Sequence, residues 1–380
     1  MNRYCFFTAQ YLPTVGGVER YTYNLARELI KRDNEVIIIT SLIPGTISEE
    51  ITKEGIQIFR VPTIQLLKGR LPVTLNNKAV RVLMERLRLL HIDRVVVQTR
   101  LYTLSAIGVN FAEANGLPCI VIEHGTSYVK QQNVIVQLGE IVYEKILLHY
   151  IKRKCRNFCA VSNAGKEWIG TFGIDAKAVL YNSVKVKENS VIDEEMKKKL
   201  AIAGNSVLVT FVGRLIPEKG IVQLINAVKK LSTEMNIVLA VAGDGPLLKR
   251  LCKDKNDNII FLGTLSHERV MGLLKKSDIY CLPSDSEGFP TGVLEAVVSF
   301  CYTIVAPYGG AKELIEGDDY GLLLDDNTEE KIADGLKKAI LLGEGGRKKV
   351  TENAYRRFEE GFTWEKTCDT LENLDWRNMI

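Results

Sequence analysis

Short apolar runs alternate with helical patterns along the whole chain, and this alternation restricts it to parallel α/β architecture. In the first half the runs fall at residues 4–8, 35–40, 94–98, 119–123, 158–161 and 179–181. A helix is predicted from residue 18 to about 32, with Leu25, Leu29 and Ile30 on its apolar face, and Ser162 is placed to cap another. Residues 185–199 break the rhythm. They are polar and charged, end in Lys197, Lys198 and Lys199, and read as a linker. A second series of runs follows at 207–212, 237–242, 259–262, 279–282, 302–306 and 322–324, and the chain ends in helix. A chain of 380 residues exceeds one comfortable core. Two doubly wound, Rossmann-like domains with an interdomain cleft are therefore expected, divided near residue 184.

Composition narrows the class. Hydrophobic residues at 46% and charged residues at 25% describe a soluble globular protein. The 8 cysteines lack C-x-x-C spacing, and Cys119, Cys159 and Cys281 lie in apolar runs, which fits reduced core thiols in a cytoplasmic protein. Cys155 and Cys159 stand close in sequence, but the 4 scattered histidines complete no metal set. The apolar residues at the start of the chain, Tyr4 to Phe7, are too few for a signal peptide, and no uncharged stretch reaches spanning length. Residues 1–184 hold 23 Lys+Arg against 15 Asp+Glu, a net +8, while the remainder holds 27 against 31, a net −4. A basic first half suits an anionic lipid surface as well as an ordinary solvated face.

The chemistry concentrates where predicted strands end. Residues 279–282 form an apolar run bounded by Pro283, and after the turn Val293, Leu294, Ala296 and Val297 begin a helical pattern, with Pro290 suited to the first turn. Such a turn, facing a helix N-terminus, is where nucleotides bind in open α/β sheets. Glu287 sits in this turn and Glu295 on the helix, where its carboxylate accepts hydrogen bonds from a vicinal diol such as ribose. A second turn, 211–220, carries Gly213, which lets backbone approach a ligand, and the cations Arg214 and Lys219, which suit a diphosphate. Residues 242–246, with Gly243, make a third turn, a plausible pocket wall, and 308–314 follow a strand in the same manner. Gly16 and Gly17 open the first helix and offer backbone amides to an anion or donor sugar, although the Rossmann fingerprint is absent. His124 stands just beyond a predicted strand, beside Gly125, and is a better site candidate than His91, His149 or His267. No Ser-His-Asp or Cys-His spacing supports a covalent hydrolase, and no P-loop is present.

Taken together, Gly16-Gly17-Val18-Glu19, Glu123-His124-Gly125, Gly213-Arg214 with Lys219-Gly220, Gly243 to Pro246 and the acidic element resemble the family-4 type glycosyltransferases. The resemblance runs from residue 5 to the Phe362-Thr363-Trp364-Glu365-Lys366 segment. It implies retaining enzymes of the GT-B fold, with a first domain of residues 1–184 and a final helix at about 363–380 that crosses back to it. Residues 185–362 would be the donor domain. It implies a nucleoside-diphosphate sugar as donor, with no cofactor and no metal. Carried over residue by residue, Arg214 and Lys219 hold the diphosphate and Glu295 the ribose. Glu287 binds donor-sugar hydroxyls, while His124 and the Gly17 loop face the transferred sugar. Gly288, Phe289, Pro290 and Thr291 complete the donor-binding turn, whose sequence leans toward a UDP-sugar. Ser183 stands where many relatives have glycine, which bears on the hinge.

The expected reaction is front-face transfer with retained configuration, in which Arg214 and Lys219 stabilise the leaving phosphate. The acceptor is expected to be a surface glycan or its lipid-linked precursor, and no nucleic acid is expected as partner. A sugar-nucleotide epimerase of the same paired domains, and a binding subunit without activity, are the alternatives; a C2 epimer formed without acceptor would favour the former. Lys68, Arg70, Lys78, Arg81, Arg86 and Arg88 flank Val80, Leu83, Met84, Leu87 and Leu90 at helical spacing. With Lys152 to Arg156 in the same half, they suggest docking of the first domain on the inner membrane face.

Overall fold

The computed structural model describes residues 1–14, 16–66, 71–128, 134–186, 189–201, 204–253 and 256–380. The chain divides into two units, one of residues 1–182 with 364–380 and one of 183–363.

The first unit is built on an eight-stranded sheet. In chain order its elements are β1 (Arg3–Phe7), α1 (Gly17–Lys31), β2 (Glu35–Ser41), β3 (Glu49–Ile51), β4 (Gln57–Val61), β5 (Thr63–Leu66), β6 (Leu71–Thr74), α2 (Lys78–Arg88), β7 (Arg94–Gln98), α3 (Thr103–Ala114), β8 (Cys119–Glu123), α4 (Val134–Lys154), β9 (Phe158–Ala160), α5 (Asn163–Gly170) and β10 (Ala176–Val179). The sheet order is β10-β9-β8-β7-β1-β2-β4-β3, parallel except for β3, while β5 and β6 pair separately and antiparallel. β1, β7 and β8 are almost wholly buried, so their Val- and Ile-rich runs need no polar alternation. Phe7, Ile37, Val95, Val97, Val121 and Phe158 meet in one core beneath α2, α3 and α4.

The second unit carries α6 (Glu194–Leu200), β11 (Val207–Val212), α7 (Ile221–Leu231), β12 (Ile237–Ala242), α8 (Leu248–Leu251), β13 (Ile259–Gly263), α9 (His267–Lys276), β14 (Ile279–Leu282), α10 (Thr291–Val298), β15 (Tyr302–Val305), α11 (Ala311–Leu314), β16 (Leu322–Leu323), α12 (Glu329–Leu341) and α13 (Gly343–Gly361). Its six strands are all parallel, in the order β13-β12-β11-β14-β15-β16. The chain then returns to the first unit as α14 (Trp364–Glu372). There Arg32 pairs with Asp369 at 2.7 Å and Glu372 at 2.9 Å, and Tyr21 packs on the Trp364 ring.

In each sheet the strand order reverses at one place, between β7 and β2 around β1 and between β14 and β12 around β11. Loops diverge at such switch points and leave a crevice beyond the strand ends. The glycine turn at 16–17, the turn beginning at Gly213 and the acidic turn all leave strands at these two places.

Three expectations are corrected. The stretch 185–199 is not all linker: Asp193 caps α6, accepting from Met196 N at 2.9 Å, and the Met196 side chain is fully buried in the second core. One buried apolar residue per short turn suffices to dock a helix that is otherwise charged. Pro290 precedes α10 as its N-cap in extended conformation, so Thr291 and not Pro290 opens the helix. The strand expected at 179–181 lies at Ala176–Val179, and β3 to β6 were not anticipated.

Candidate functional site

In the first unit the candidate residues gather at the carboxyl ends of β1, β7 and β8. Gly16 is the N-cap of α1 and supplies no capping side chain itself, while the Glu19 carboxylate turns back onto the first turn and accepts from the Glu19 amide. A Cβ at Gly16 would lie 2.3 Å from the Glu19 carboxylate, which is buried and has its pKa raised by that burial. Gly17 has open space around it. His124 follows β8 directly. Its Nε2 lies 2.6 Å from Gln98 Oε1 at the end of β7, so with the carboxamide oxygen accepting, the ring proton is on Nε2. Burial drives the imidazole pKa down to about 3, which keeps it neutral. The Tyr21 ring meets it edge-on at 4.8 Å, and the Tyr21 hydroxyl donates to Leu180 O at 3.0 Å.

The His124 loop is held from beneath by a buried charge cluster. Glu123 Oε1 accepts from His124 N at 3.0 Å and Gly125 N at 2.8 Å. Its other oxygen lies 3.3 Å from Arg100 Nε, and Arg100 also reaches Glu144 at 3.1 Å. All three side chains are buried, and the guanidinium lies over the Trp168 and Phe172 rings. The geometry makes Glu123 a clamp on two backbone amides, with its charge balanced by Arg100.

In the second unit the turns after β11, β12, β14 and β15 are locked together through backbone. Asp285 N donates to Glu218 O at 2.8 Å and the Ser284 hydroxyl to the same carbonyl at 3.1 Å. These bonds bring the Arg214–Lys219 turn against the acidic turn, and Lys219 forms an ion pair with Glu287. Arg214 is exposed beside Gly213. Gly243 has φ 144°, and a Cβ there would stand 1.9 Å from Gly213 O, so only glycine permits that approach. Gly309 has φ 71° and similarly abuts the Glu287 carbonyl, while Gly310 N donates to Gly288 O at 3.1 Å. Phe289 is buried and stacks on Phe362 at 5.5 Å, and Ser183 Oγ donates to the Phe362 carbonyl at 2.6 Å. Glu295 is 4% exposed, with Oε1 3.4 Å from His267 Nδ1. The Tyr280 hydroxyl lies under α10, against Gly292, and both Glu295 and Glu287 raise its pKa further beyond the effect of burial. Two hydrogen-bonded turns thus bring Arg214 and Lys219 up to Glu287, with Glu295 on the helix that follows, cations and carboxylates of the kind that a nucleoside diphosphate and a sugar need.

The family model described as Glycosyl transferases group 1 matches residues 192–357, and that described as Glycosyltransferase Family 4 matches residues 15–188. The chain belongs to the family-4 type glycosyltransferases. The fold is GT-B, shared at a TM-score of 0.75 and 19% identity with a Rickettsia africae glycosyltransferase structure, covering 100% of this chain and 98% of that one. A structure of Anabaena HepE in complex with UDP matches at a TM-score of 0.73 and 16% identity, over 98% of each chain. Among curated relatives, an uncharacterized glycosyltransferase of Methanocaldococcus jannaschii is 28% identical, with 97% and 96% of the two chains covered. A human phosphatidylinositol N-acetylglucosaminyltransferase chain is 22% identical over 97% of this chain and 75% of its own. A Campylobacter jejuni N-acetyl-D-galactosaminyltransferase, named for a PP-undecaprenol glycan, is 27% identical over 67% and 70%.

Several residues of this glycosyltransferase escaped the sequence reading. Gln98 and Arg100 lie at or just past the end of the strand expected at 94–98, and that position was the available signal. Glu123 stood in the motif beside His124 without a role. His267, passed over in favour of His124, is the neighbour of Glu295. Seven of the eight cysteines are buried and all are free. Among the described residues no three His, Cys, Asp or Glu side chains converge as metal ligands, and no helix is long and apolar enough to cross a membrane.

Proposed function

We propose that this glycosyltransferase moves a sugar, with retained anomeric configuration and without a metal, from a nucleoside-diphosphate sugar to a glycan or lipid-linked acceptor of surface polysaccharide synthesis. The observation that carries this reading is the Lys219–Glu287 ion pair across two hydrogen-bonded turns at the carboxyl ends of β11 and β14, with exposed Arg214 in the same turn as Lys219. Arg214 and Lys219 hold the diphosphate, Glu287 accepts from donor-sugar hydroxyls, and Glu295 takes the ribose diol. The Gly16-Gly17 turn and His124 serve the transferred sugar, His124 as a neutral hydrogen-bonding group. In the transfer the bond from the anomeric carbon to the phosphate oxygen breaks and a bond to the acceptor oxygen forms on the same face. The acceptor proton passes to the departing phosphate, whose growing charge the two cations stabilise.

A UDP-sugar is the favoured donor, supported by the turn sequence and by the UDP complex of the Anabaena protein. A lipid-linked acceptor is supported by the names of the human and Campylobacter relatives. Such an acceptor places the enzyme in the cytoplasm, docked at the inner membrane face. A thermal-shift panel of nucleoside diphosphates and their sugars tests the donor. NMR of the product anomer tests retention. An inverted anomer, or a C2 epimer formed without acceptor, overturns the reading.

A further inference from the structure

β7 ends at Gln98, and Thr99 and Arg100 follow it; all three side chains are buried. Gln98 lies in register with Ile122 of β8, two residues before His124, and Thr99 N donates to Ile122 O at 2.9 Å. Thr99 has φ 63°, a left-handed conformation that strains a β-branched residue and persists where its surroundings fix it. On one side of it, Arg100 holds the backbone of the His124 loop through Glu123. On the other side, Gln98 meets the His124 ring itself.

The contact is short, 2.6 Å from Gln98 Oε1 to His124 Nε2. A carboxamide oxygen accepts and cannot donate, so Nε2 carries the proton of the neutral ring. Nδ1 is then a lone pair on a half-buried side chain. It can accept from a hydroxyl and has nothing to offer an anion. A free imidazole exchanges between its two neutral forms, and the partner of one nitrogen decides which form persists. Gln98 makes that choice at a cost. Its Nε2 is buried with no hydrogen-bond partner among the described residues, a penalty that an apolar side chain in the same place would avoid. A residue serving the core alone gains nothing from such an amide, whereas one that orients a ring does. The Tyr21 ring, edge-on at 4.8 Å, steadies the imidazole from α1.

We propose that Gln98 is a positioning residue, which holds His124 with its proton on Nε2 so that Nδ1 accepts from a hydroxyl of the transferred sugar. The sugar contact rests on the transfer proposed above; the hold on the ring does not. Nitrogen-15 NMR of the full chain, labelled in histidine and assigned with His124→Gln, reads the ring at pH 7.5. A protonated Nε2 and a bare Nδ1 are expected, and a proton on Nδ1 overturns the proposal. Calorimetry with UDP, GDP, UDP-glucose, UDP-N-acetylglucosamine and GDP-mannose reads the consequence. In Gln98→Met the nucleotide sugar that the wild type binds should bind about tenfold more weakly, equivalent to ~1.4 kcal/mol, while the bare diphosphate binds as before. Equal losses for both would make Gln98 part of the packing alone, and no loss for either would remove its role, so each result overturns the proposal. Should Gln98→Met fail to fold, Gln98→Glu replaces it. A carboxylate beside Nε2 should raise the pH at which the His124 ring gains its second proton, and an unchanged titration overturns the contact. The expected ring state in a wild type that binds none of the nucleotide sugars defeats the transfer reading. Sugar transfer by a wild type with the proton on Nδ1 defeats this inference alone.

Discussion

Lys219 and Glu287, 68 residues apart in sequence, form an ion pair where β11 and β14 end. The pair joins the turn after β11 to the turn after β14, and in the function proposed above it sets the cation for the phosphate beside the carboxylate for the sugar hydroxyls.

Loss of either cation should therefore cost rate without costing the fold. Lys219→Ala and Arg214→Ala are expected to lower kcat/KM by about a hundred- to thousand-fold, or ~3–4 kcal/mol of barrier. Both side chains lie outside the core, so Tm should move little. Steady-state kinetics with parallel thermal melts check both halves, and full activity in either variant would falsify the diphosphate assignment.

His124 should make the first domain acid-sensitive. Its folded pKa, about 3, lies below the ordinary 6.5, so in acid the unfolded chain binds the proton first. The stability tied to neutral His124 is whole above about pH 6.5 and declines as pH falls toward 3. At pH 5 the loss approaches ~2 kcal/mol. Melts of the wild type and His124→Gln at pH 7.5 and 5.0 measure it: the wild type should lose more, and identical losses would remove the half-buried imidazole from the account.

The sheet was legible in the sequence where both faces are buried. The runs at β7 and β8 are nearly unbroken apolar stretches because helices cover both sides. β3 at the sheet edge begins Glu49-Glu50 and pairs antiparallel, so no apolar run announced it. α6 hid for a related reason, since Met196 is its one buried residue among lysines and glutamates. The candidate site was legible as turns but not as contacts. Sequence spacing says nothing of Glu218 O bonding Asp285 N, or of Arg100 reaching both Glu123 and Glu144. Those are long-range pairings that the fold creates.

Removing Arg100 should be severe. Arg100→Ala takes the guanidinium away from buried Glu123 and Glu144 and is expected to destabilise the protein by about 3–5 kcal/mol, read by urea unfolding. Combining Arg100→Met with Glu123→Gln and Glu144→Gln removes the charges together and should restore much of the loss. Failure of the triple variant to recover would mean that packing against Trp168 and Phe172, and not charge, dominates.

Chelation should leave transfer largely intact if, as proposed, Arg214 and Lys219 supply the positive charge to the leaving phosphate. Activity is to be measured after EDTA and after adding back magnesium or manganese. Complete loss on chelation, restored by either ion, would show that the two cations are insufficient.

Membrane docking is expected to use α4 more than α2. Lys68 and Arg70 lie outside the described residues, Arg86 pairs with Glu49, and Arg88 lies 3.0 Å from Glu85, so Lys78 and Arg81 are the α2 cations left for a lipid surface. The inward face of α4 buries Leu147, Leu148 and Ile151. Its outward face carries Ile135 at 80% exposure, Leu138 at 59%, Val142 at 55% and Ile146 at 67%, and the helix ends in Lys152, Arg153 and Lys154. An exposed apolar row with cations at its end fits an anionic lipid surface: the row enters the interface, and each nearby cation adds about 1 kcal/mol. Lys154 also pairs with Glu113, so Arg153 is the stronger contributor. Sedimentation with anionic and neutral vesicles at low and high salt measures the binding. Wild type should sediment with anionic vesicles at low salt, and more weakly as salt screens the attraction. Ile135→Ser with Leu138→Ser should abolish sedimentation while leaving the buried face of α4 untouched. Equal recovery with both lipids, or no effect of the serine pair, would return α4 to an ordinary solvated surface.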